Sequence, residues 1–164
     1  MEPRSSRPHM PGYGIAAVDE GSGLLPWAVA LDRLSTAHDY WVATVRPDGR
    51  PHLMAVWGVV LDDRLTWSTS PTSRKALNLG ANASVTVSTD GAARPVIVEG
   101  RAVLVDDPHT IERFASAMNA KYDASDPVDF YAANRTFAVV VERAFALDTA
   151  DFTGSPTRWE FPAG

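Results

Sequence analysis

Between Tyr40 and Val105 the chain alternates short β-branched, apolar segments with turns too tight for anything but antiparallel neighbours. Tyr40–Arg46 (Y-W-V-A-T-V-R) leads into Pro47-Asp48-Gly49-Arg50, with Asp-Gly at the centre of the turn, and Pro51–Val60 (P-H-L-M-A-V-W-G-V-V) returns. Leu61-Asp62-Asp63-Arg64 is a second tight turn before Leu65–Thr69. Asp90-Gly91 joins Ser84–Ser88 to Pro95–Val105. Asp-Gly pairs favour the left-handed conformations of hairpin turns, whereas parallel strands need long crossovers. Further along, Thr136–Asp148 reads as a long apolar strand and Ser155–Phe161 as a last one.

Helical patterns interrupt this series. Leu25-Pro26-Trp27 starts a short amphipathic helix with Pro26 near its first turn. Ser73–Leu79 is a second, expected to stop at Gly80, and a third runs from Asp107-Pro108 to about Lys121 with Ile111, Phe114, Ala115 and Met118 on one face. Asp129–Asn134 offers a further helical turn. Roughly six or seven antiparallel strands with helical inserts predict a mainly β (α+β) fold, a small closed or nearly closed barrel. Residues 1–23, rich in Pro, Gly, Arg and Ser, read as a flexible N-terminal arm, and residues 24–164 as one domain.

Composition narrows the function. A chain of 164 residues, 45% apolar and 21% charged, is long enough for a buried core. A net charge of −5 argues against nucleic acid as a main partner. With no cysteine, disulfides, thiolate catalysis and Cys-ligated metals are excluded. His9, His38, His52 and His109 are scattered, so no metal site is expected. No apolar run approaches a membrane span and no signal-peptide core is present, so a cytoplasmic protein without membrane contact is expected. Neither G-x-S-x-G nor G-x-G-x-x-G occurs, which disfavours a serine hydrolase and a Rossmann site.

Thr66–Val87 (T-W-S-T-S-P-T-S-R-K-A-L-N-L-G-A-N-A-S-V-T-V) carries the chemistry. A strand runs out into hydroxyl residues, and Ser73-Arg74-Lys75 opens a helix. First-turn N–H groups lack intrahelical partners and the helix dipole favours an anion there. Arg adds a planar fork and Lys a point charge for phosphate oxygens. Lysines occur at 75 and 121 alone, so one at this spot is not background. The same residues also suit a solvated cationic pair on a surface helix.

Taken together, Tyr40–His52, Val56–Val60, Leu65–Leu79 and the C-terminal S-P-T-R-W-E-F resemble the pyridoxamine 5′-phosphate oxidase-like, flavin/deazaflavin oxidoreductase superfamily of split β-barrels. The likeness spans Leu25 to Phe161. It implies a homodimer with cofactor sites at the subunit interface, a small-molecule substrate, and FMN or coenzyme F-420 as cofactor. The Leu25-Pro26-Trp27 helix start, the Val56-Trp57-Gly58 strand and the composition are closest to the actinobacterial deazaflavin branch, which makes coenzyme F-420 the first expectation and FMN the second. By the same likeness, Leu53, Met54, Ala55, Val56, Trp57 and Gly58 run along the ring, while Ser68, Thr69, Ser73, Arg74 and Lys75 hold the ribityl-phosphate. Leu53–Gly58 lacks the Arg and Lys of the pyridoxal-phosphate-forming oxidases, and the chain reaches only Gly164 without their longer C-terminal segment, so that activity is not expected. The likeness implies hydride transfer to a small electron-poor acceptor. An FMN-dependent oxidoreductase, or a non-catalytic cofactor or haem carrier of the same fold, is the alternative.

The remaining candidates stay open at this stage. Trp57 reads equally as a core or interface residue and as a wall of a ring pocket. Trp41, Met54 and Trp57 are candidate dimer contacts. His52 could touch cofactor or substrate, although a lone histidine is more often a satisfied surface group, and Arg46 and Arg50 read as solvated. Arg158 closes a pocket or pairs with a carboxylate. Tyr122 and Tyr131 are possible proton donors, more readily explained as structural. No obligate catalytic side chain is visible.

Overall fold

The computed structural model describes residues 2–162; Met1 of the expected arm and Ala163 and Gly164 of the expected domain lie outside it. Its strands are β1 (Arg4–Ser6), β2 (Tyr40–Val45), β3 (Pro51–Val56), β4 (Val59–Leu61), β5 (Arg64–Thr69), β6 (Ser84–Thr89), β7 (Val96–Val105), β8 (Arg135–Ala146) and β9 (Thr157–Glu160). Its helices are α1 (Trp27–Thr36), α2 (Arg74–Ala81), α3 (Pro108–Tyr122) and α4 (Val128–Ala132). All strand pairs are antiparallel, in the order β1-β9-β8-β7-β6-β2-β3, with β5 pairing both β4 and β8.

The expected return strand Pro51–Val60 is not continuous. It breaks at Trp57-Gly58 into β3, which pairs with β2, and β4, which pairs with β5. One bent segment thus belongs to both ends of the sheet, and the path β2, β3–β4, β5, β8, β7, β6 returns to β2. No ladder joins β3 to β5 among the described residues, so the barrel stays split beside β3.

Local chemistry fixes the turns. Gly49 takes φ 83° in the first hairpin, and its N–H donates to the Arg46 carbonyl at 2.9 Å. Asp62 and Asp63 both sit in the left-handed region, at φ 49° and 60°, as a two-residue hairpin loop requires. β8 carries a bulge at Glu142, opposite Glu99-Gly100 of β7, and a side chain at residue 100 would collide with the Val140 carbonyl. Contrary to expectation, α2 does not stop at Gly80 but continues to Ala81, because a residue without Cβ is tolerated inside a helix.

The barrel core is built from inward residues of β2 and β5–β9 with α1 and α2, and Trp67, Trp159, Tyr40, Leu34, Val42, Val87, Val98 and Val139 are fully buried. Trp27 of α1 meets Trp159 and Phe161 edge-on, at 5.5 and 5.0 Å between centroids. A second cluster joins Val59 of β4 to Ile111, Phe114, Ala115 and Met118 of α3 and Tyr131 of α4. Tyr131 packs edge-on against Phe114 and is structural.

The N-terminal segment departs from the expected free arm. Arg4–Ser6 form β1 along β9. The Arg7 guanidinium donates to the carbonyls of Gly154 (2.8 Å), Pro156 (3.0 Å), Ala17 (2.9 Å), Glu20 (3.1 Å) and Gly23 (3.4 Å). The Asp151 carboxylate accepts from the Ser22 N–H and hydroxyl and from the Gly154 N–H. Composition misleads here because the segment is held by hydrogen bonds to backbone rather than by apolar burial.

A Cβ at Gly58 would lie 2.9 Å from the Thr66 carbonyl oxygen and 3.5 Å from the Tyr40 ring, whereas one at Gly80 meets nothing within 4 Å. Gly58→Ala is expected to lower unfolding free energy by about 1–3 kcal/mol through overpacking. Gly80→Ala is expected to raise it by about 0.5–1 kcal/mol. Urea unfolding of both variants checks the pair of signs.

Candidate functional site

The polar end of the site starts where β5 leaves the sheet. The Thr69 hydroxyl donates to Ser73 Oγ at 3.0 Å, and Ser73 Oγ accepts from the Ala76 N–H at 3.2 Å, capping α2. Ser70 and Thr72 brace the same loop through their hydroxyls at 3.1 Å. The cap directs Arg74 and Lys75 onto the first turn. Arg74 is exposed and Lys75 half-buried. Burial lowers the Lys75 pKa. Arg33, Arg50, Arg113, Arg143 and Arg158 each meet a carboxylate within ion-pair distance, but Arg46, Arg74 and Lys75 have no such partner among the described residues.

α2 is docked on β2 by a buried polar contact. Asn78 Nδ2 donates to Thr44 Oγ1 at 2.9 Å, with both side chains almost wholly buried. Thr44 faces His52 across the β2–β3 ladder. Side chains two apart in a strand share a face, so His52, Met54 and Val56 lie on the side that carries Thr44, Val42 and Tyr40. His52 Nδ1 is buried without a partner. Burial first, then the charges of Arg46, Lys75 and Arg74, lower the imidazole pKa.

The apolar end lies along β3. Leu53, Met54 and Trp57, with Trp41 opposite Ala55, are large apolar side chains 45–57% exposed. Trp57 stacks on Tyr122 at 4.4 Å between centroids and 4° between planes, with His38 edge-on to both. The Tyr122 hydroxyl donates to the His38 carbonyl at 2.6 Å and accepts from the Gly58 N–H at 2.9 Å. Lys121 Nζ donates to the Gly58 carbonyl and to the Tyr40 hydroxyl, both at 2.9 Å, over the Tyr40 ring. Burial lowers the Lys121 pKa and raises that of Tyr122, so Tyr122 keeps its proton near neutral pH.

The structure brings together Thr69, Ser73, Arg74 and Lys75, and it adds His52, Arg46, Thr44 and Asn78 to them. It divides the block from Leu53 to Gly58. Leu53 and Ala55 share the outer face with Trp41, Met54 and Val56 take the inner face, and Gly58 is buried in the bend. Ser68 lies on the opposite face of β5 from Thr69. It pairs with Thr136, and both hydroxyls are buried without partners. Arg50 is occupied by Asp48, and Arg158 by Glu160. The signal for His52 was present in the hairpin register set by Asp48-Gly49. That for Asn78 was its i+4 spacing from Arg74.

The sequence profile named pyridoxamine 5′-phosphate oxidase matches residues 30–148. A conserved hypothetical protein, Rv2991, from Mycobacterium tuberculosis is similar in structure, with TM-score 0.69 and 26% identity over 77% of this chain and 87% of the other. An F420 reductase is similar with TM-score 0.55 and 28% identity over 66% of this chain and 89% of the other. A haem-binding protein from Mycobacterium smegmatis shares the fold alone, with TM-score 0.57 and 16% identity over 77% of this chain and 59% of the other. Among curated proteins none matches by sequence. By the extent of the profile match, which covers more than half of its length, the chain belongs to the pyridoxamine 5′-phosphate oxidase family of split β-barrels.

Proposed function

We propose that the protein is an oxidoreductase that binds coenzyme F-420, with FMN as the second reading, at the split beside β3. The observation that carries this is the group Arg46, Arg74 and Lys75 at the start of α2, which meets no carboxylate, next to an exposed apolar strand. Arg4, Arg7, Arg64, Arg94, Arg101 and Arg135 also lack a carboxylate partner among the described residues, so it is the gathering of three cations around one helix start, and not the missing acids alone, that fits an anionic ligand. The 28% likeness to an F420 reductase supports coenzyme F-420 over FMN. The cation cluster alone suits the phosphate of either.

When bound, the cofactor supplies two-electron hydride chemistry toward a small electron-poor acceptor of enone, imine or quinone type. The chain's own residues bind and orient. Arg74 and Lys75 hold the phosphate, with Ser73 and Thr69 fixing the loop that presents them. Met54, Val56 and Trp57 supply apolar surface for the ring and exclude water. Tyr122, protonated near neutral pH and braced against Gly58, fixes the Trp57 indole rather than delivering a proton.

We further infer a homodimer. Trp41 and Leu53 are exposed on the outer face of β2–β3, an apolar surface that a second copy would cover. Sedimentation is expected to give a dimer at micromolar concentration, and a stable monomer there overturns this inference.

Hydrogen bonds to charged groups contribute roughly 1.5–3 kcal/mol, so Arg74→Ala and Lys75→Ala should each weaken cofactor binding by about one to two orders of magnitude. Arg64→Ala, at the first residue of β5, and Arg94→Ala, in the β6–β7 connection, serve as controls. Fluorescence titration with coenzyme F-420 and with FMN measures both, and equal affinities across all variants overturn the site. Lys75→Met carries a second expected sign. Folding lowers the lysine pKa, so the charged form destabilises the cofactor-free protein below that pKa and the effect fades as pH rises through it. The variant should therefore raise the Tm of the free protein at neutral pH while lowering cofactor affinity.

A further inference from the structure

We infer that His52 is a proton-linked ligand of the anion bound at the start of α2, neutral in the free protein and imidazolium in the complex. This rests on the anion-site reading above and assigns that site a pH dependence and a further binding residue.

The geometry comes from two ladders of contacts. The β2–β3 register sets His52 opposite Thr44, and Arg46, two residues beyond Thr44, continues the same face. Thr44 Oγ1 accepts from Asn78, which fixes α2 over this face. Arg74 lies one turn before Asn78 on the same helical stripe, and Lys75 follows it. The charged groups that act on His52 are therefore Arg46 from β2 and Arg74 and Lys75 from α2. β3 itself contributes none, since Leu53 and Met54 follow His52. In the adjoining turn Asp48 is taken by Arg50, with Nε at 2.9 Å and Nη2 at 2.7 Å from Oδ2.

His52 Nδ1 is buried in the midst of these groups with no protein partner. In the free protein, burial and three cations oppose a fourth charge. An anion seated among the cations reverses the local field and favours the imidazolium, which then has a proton to donate. Binding therefore takes up a proton. The sign follows from linkage. With the histidine pKa higher in the complex than in the free protein, affinity is greatest below the free value, falls as pH rises, and levels off above the bound value.

Sulfate is the suitable probe because it stays a dianion throughout, whereas a phosphate monoester titrates itself near pH ~6. Calorimetric titration of the intact protein with sulfate at about pH 5.5 and about pH 8 brackets the imidazole transition. Tighter binding at the lower pH is expected, by up to about tenfold for each unit by which the anion raises the His52 pKa. The His52 ring signal in NMR, assigned through its bonds to the backbone, should titrate at higher pH with saturating sulfate than without. His52→Gln should lose the tightening, binding sulfate with the same affinity at about pH 5.5 as at about pH 8. A pH slope that survives in His52→Gln, or a His52 titration that sulfate does not move, overturns the role of His52 alone. If the Arg74→Ala, Lys75→Ala double variant binds sulfate like the parent, or the parent does not bind it at either pH, the anion site itself falls and this inference with it.

Discussion

The fold depends on the bend at Trp57-Gly58. A straight continuation of β3 would keep pairing with β2 and leave β5 without its β4 neighbour. The bend transfers the chain from one end of the sheet to the other and closes the barrel. It needs three things at once. Residue 58 must lack a Cβ because the Thr66 carbonyl is 2.9 Å from where one would sit. Its N–H must find an acceptor outside the ladder, which is the Tyr122 hydroxyl. Its carbonyl must find a donor, which is Lys121 Nζ. Backbone groups left unpaired at such a bend would each cost about 1–3 kcal/mol. The last two residues of α3 supply both partners, so the helical insert and the barrel closure are one device.

The same bend shapes the apolar half of the site. Tyr122 presents one polar atom to Gly58 and one ring face to Trp57, stacked at 4.4 Å. A tryptophan half exposed would ordinarily sample several rotamers. Stacked, with His38 edge-on, the indole is held at the mouth of the split. Lys121 meanwhile is a half-buried cation whose neighbours are a carbonyl, a hydroxyl and the Tyr40 ring, while Asp39 and Asp90 act on it only at longer range. Its charge serves closure rather than ligand binding, which separates the two lysines of the chain by role.

Much of this was readable from residues. The turns at Asp48-Gly49 and Asp62-Asp63, the β-branched strands and the start of α3 at Asp107-Pro108 carry strong local preferences, and the structure has them there. The break at Trp57-Gly58 was not readable, because an apolar run with one glycine fits a continuous strand as well as a bent one. What decides between them is Lys121 and Tyr122, more than sixty residues away. The α2 cations were legible because Ser73-Arg74-Lys75 is a local pattern. Ser68 was grouped with them by the family likeness, and strand alternation places it on the face of β5 opposite Thr69, paired with Thr136. In the sequence His52 stays open between a cofactor or substrate contact and a surface group, and Arg46 reads as solvated, because their company depends on hairpin register combined with helix docking. The N-terminal segment was read as free because its anchoring lies in Arg7 meeting distant carbonyls, which composition does not record.

The distribution of satisfied and unsatisfied polar groups separates scaffold from site. At the N-terminal clasp the charges are largely answered: Arg7 through its terminal nitrogens by five carbonyls, although its Nε is buried without a partner, and Asp151 by Ser22 and Gly154. At the opposite feature, the start of α2, the reverse holds. Lys75 is half-buried without a carboxylate, Asn78 Oδ1 and His52 Nδ1 are buried without partners, and Arg46 and Arg74 add like charge. Like charges and orphaned polar atoms destabilise a fold, and scattered instances are ordinary. Orphaned atoms also occur at Arg7, Trp67, Ser68, Thr136 and Arg158, so what sets this helix start apart is that two of them, His52 Nδ1 and Asn78 Oδ1, coincide with three like charges braced by the Thr69–Ser73 cap and the Thr44–Asn78 contact. The bracing contacts keep the cations from relaxing outward to solvent. A rigid support under groups that repel one another makes sense when an anion completes the set, and it is the physical reason to read this end of the barrel as the binding end.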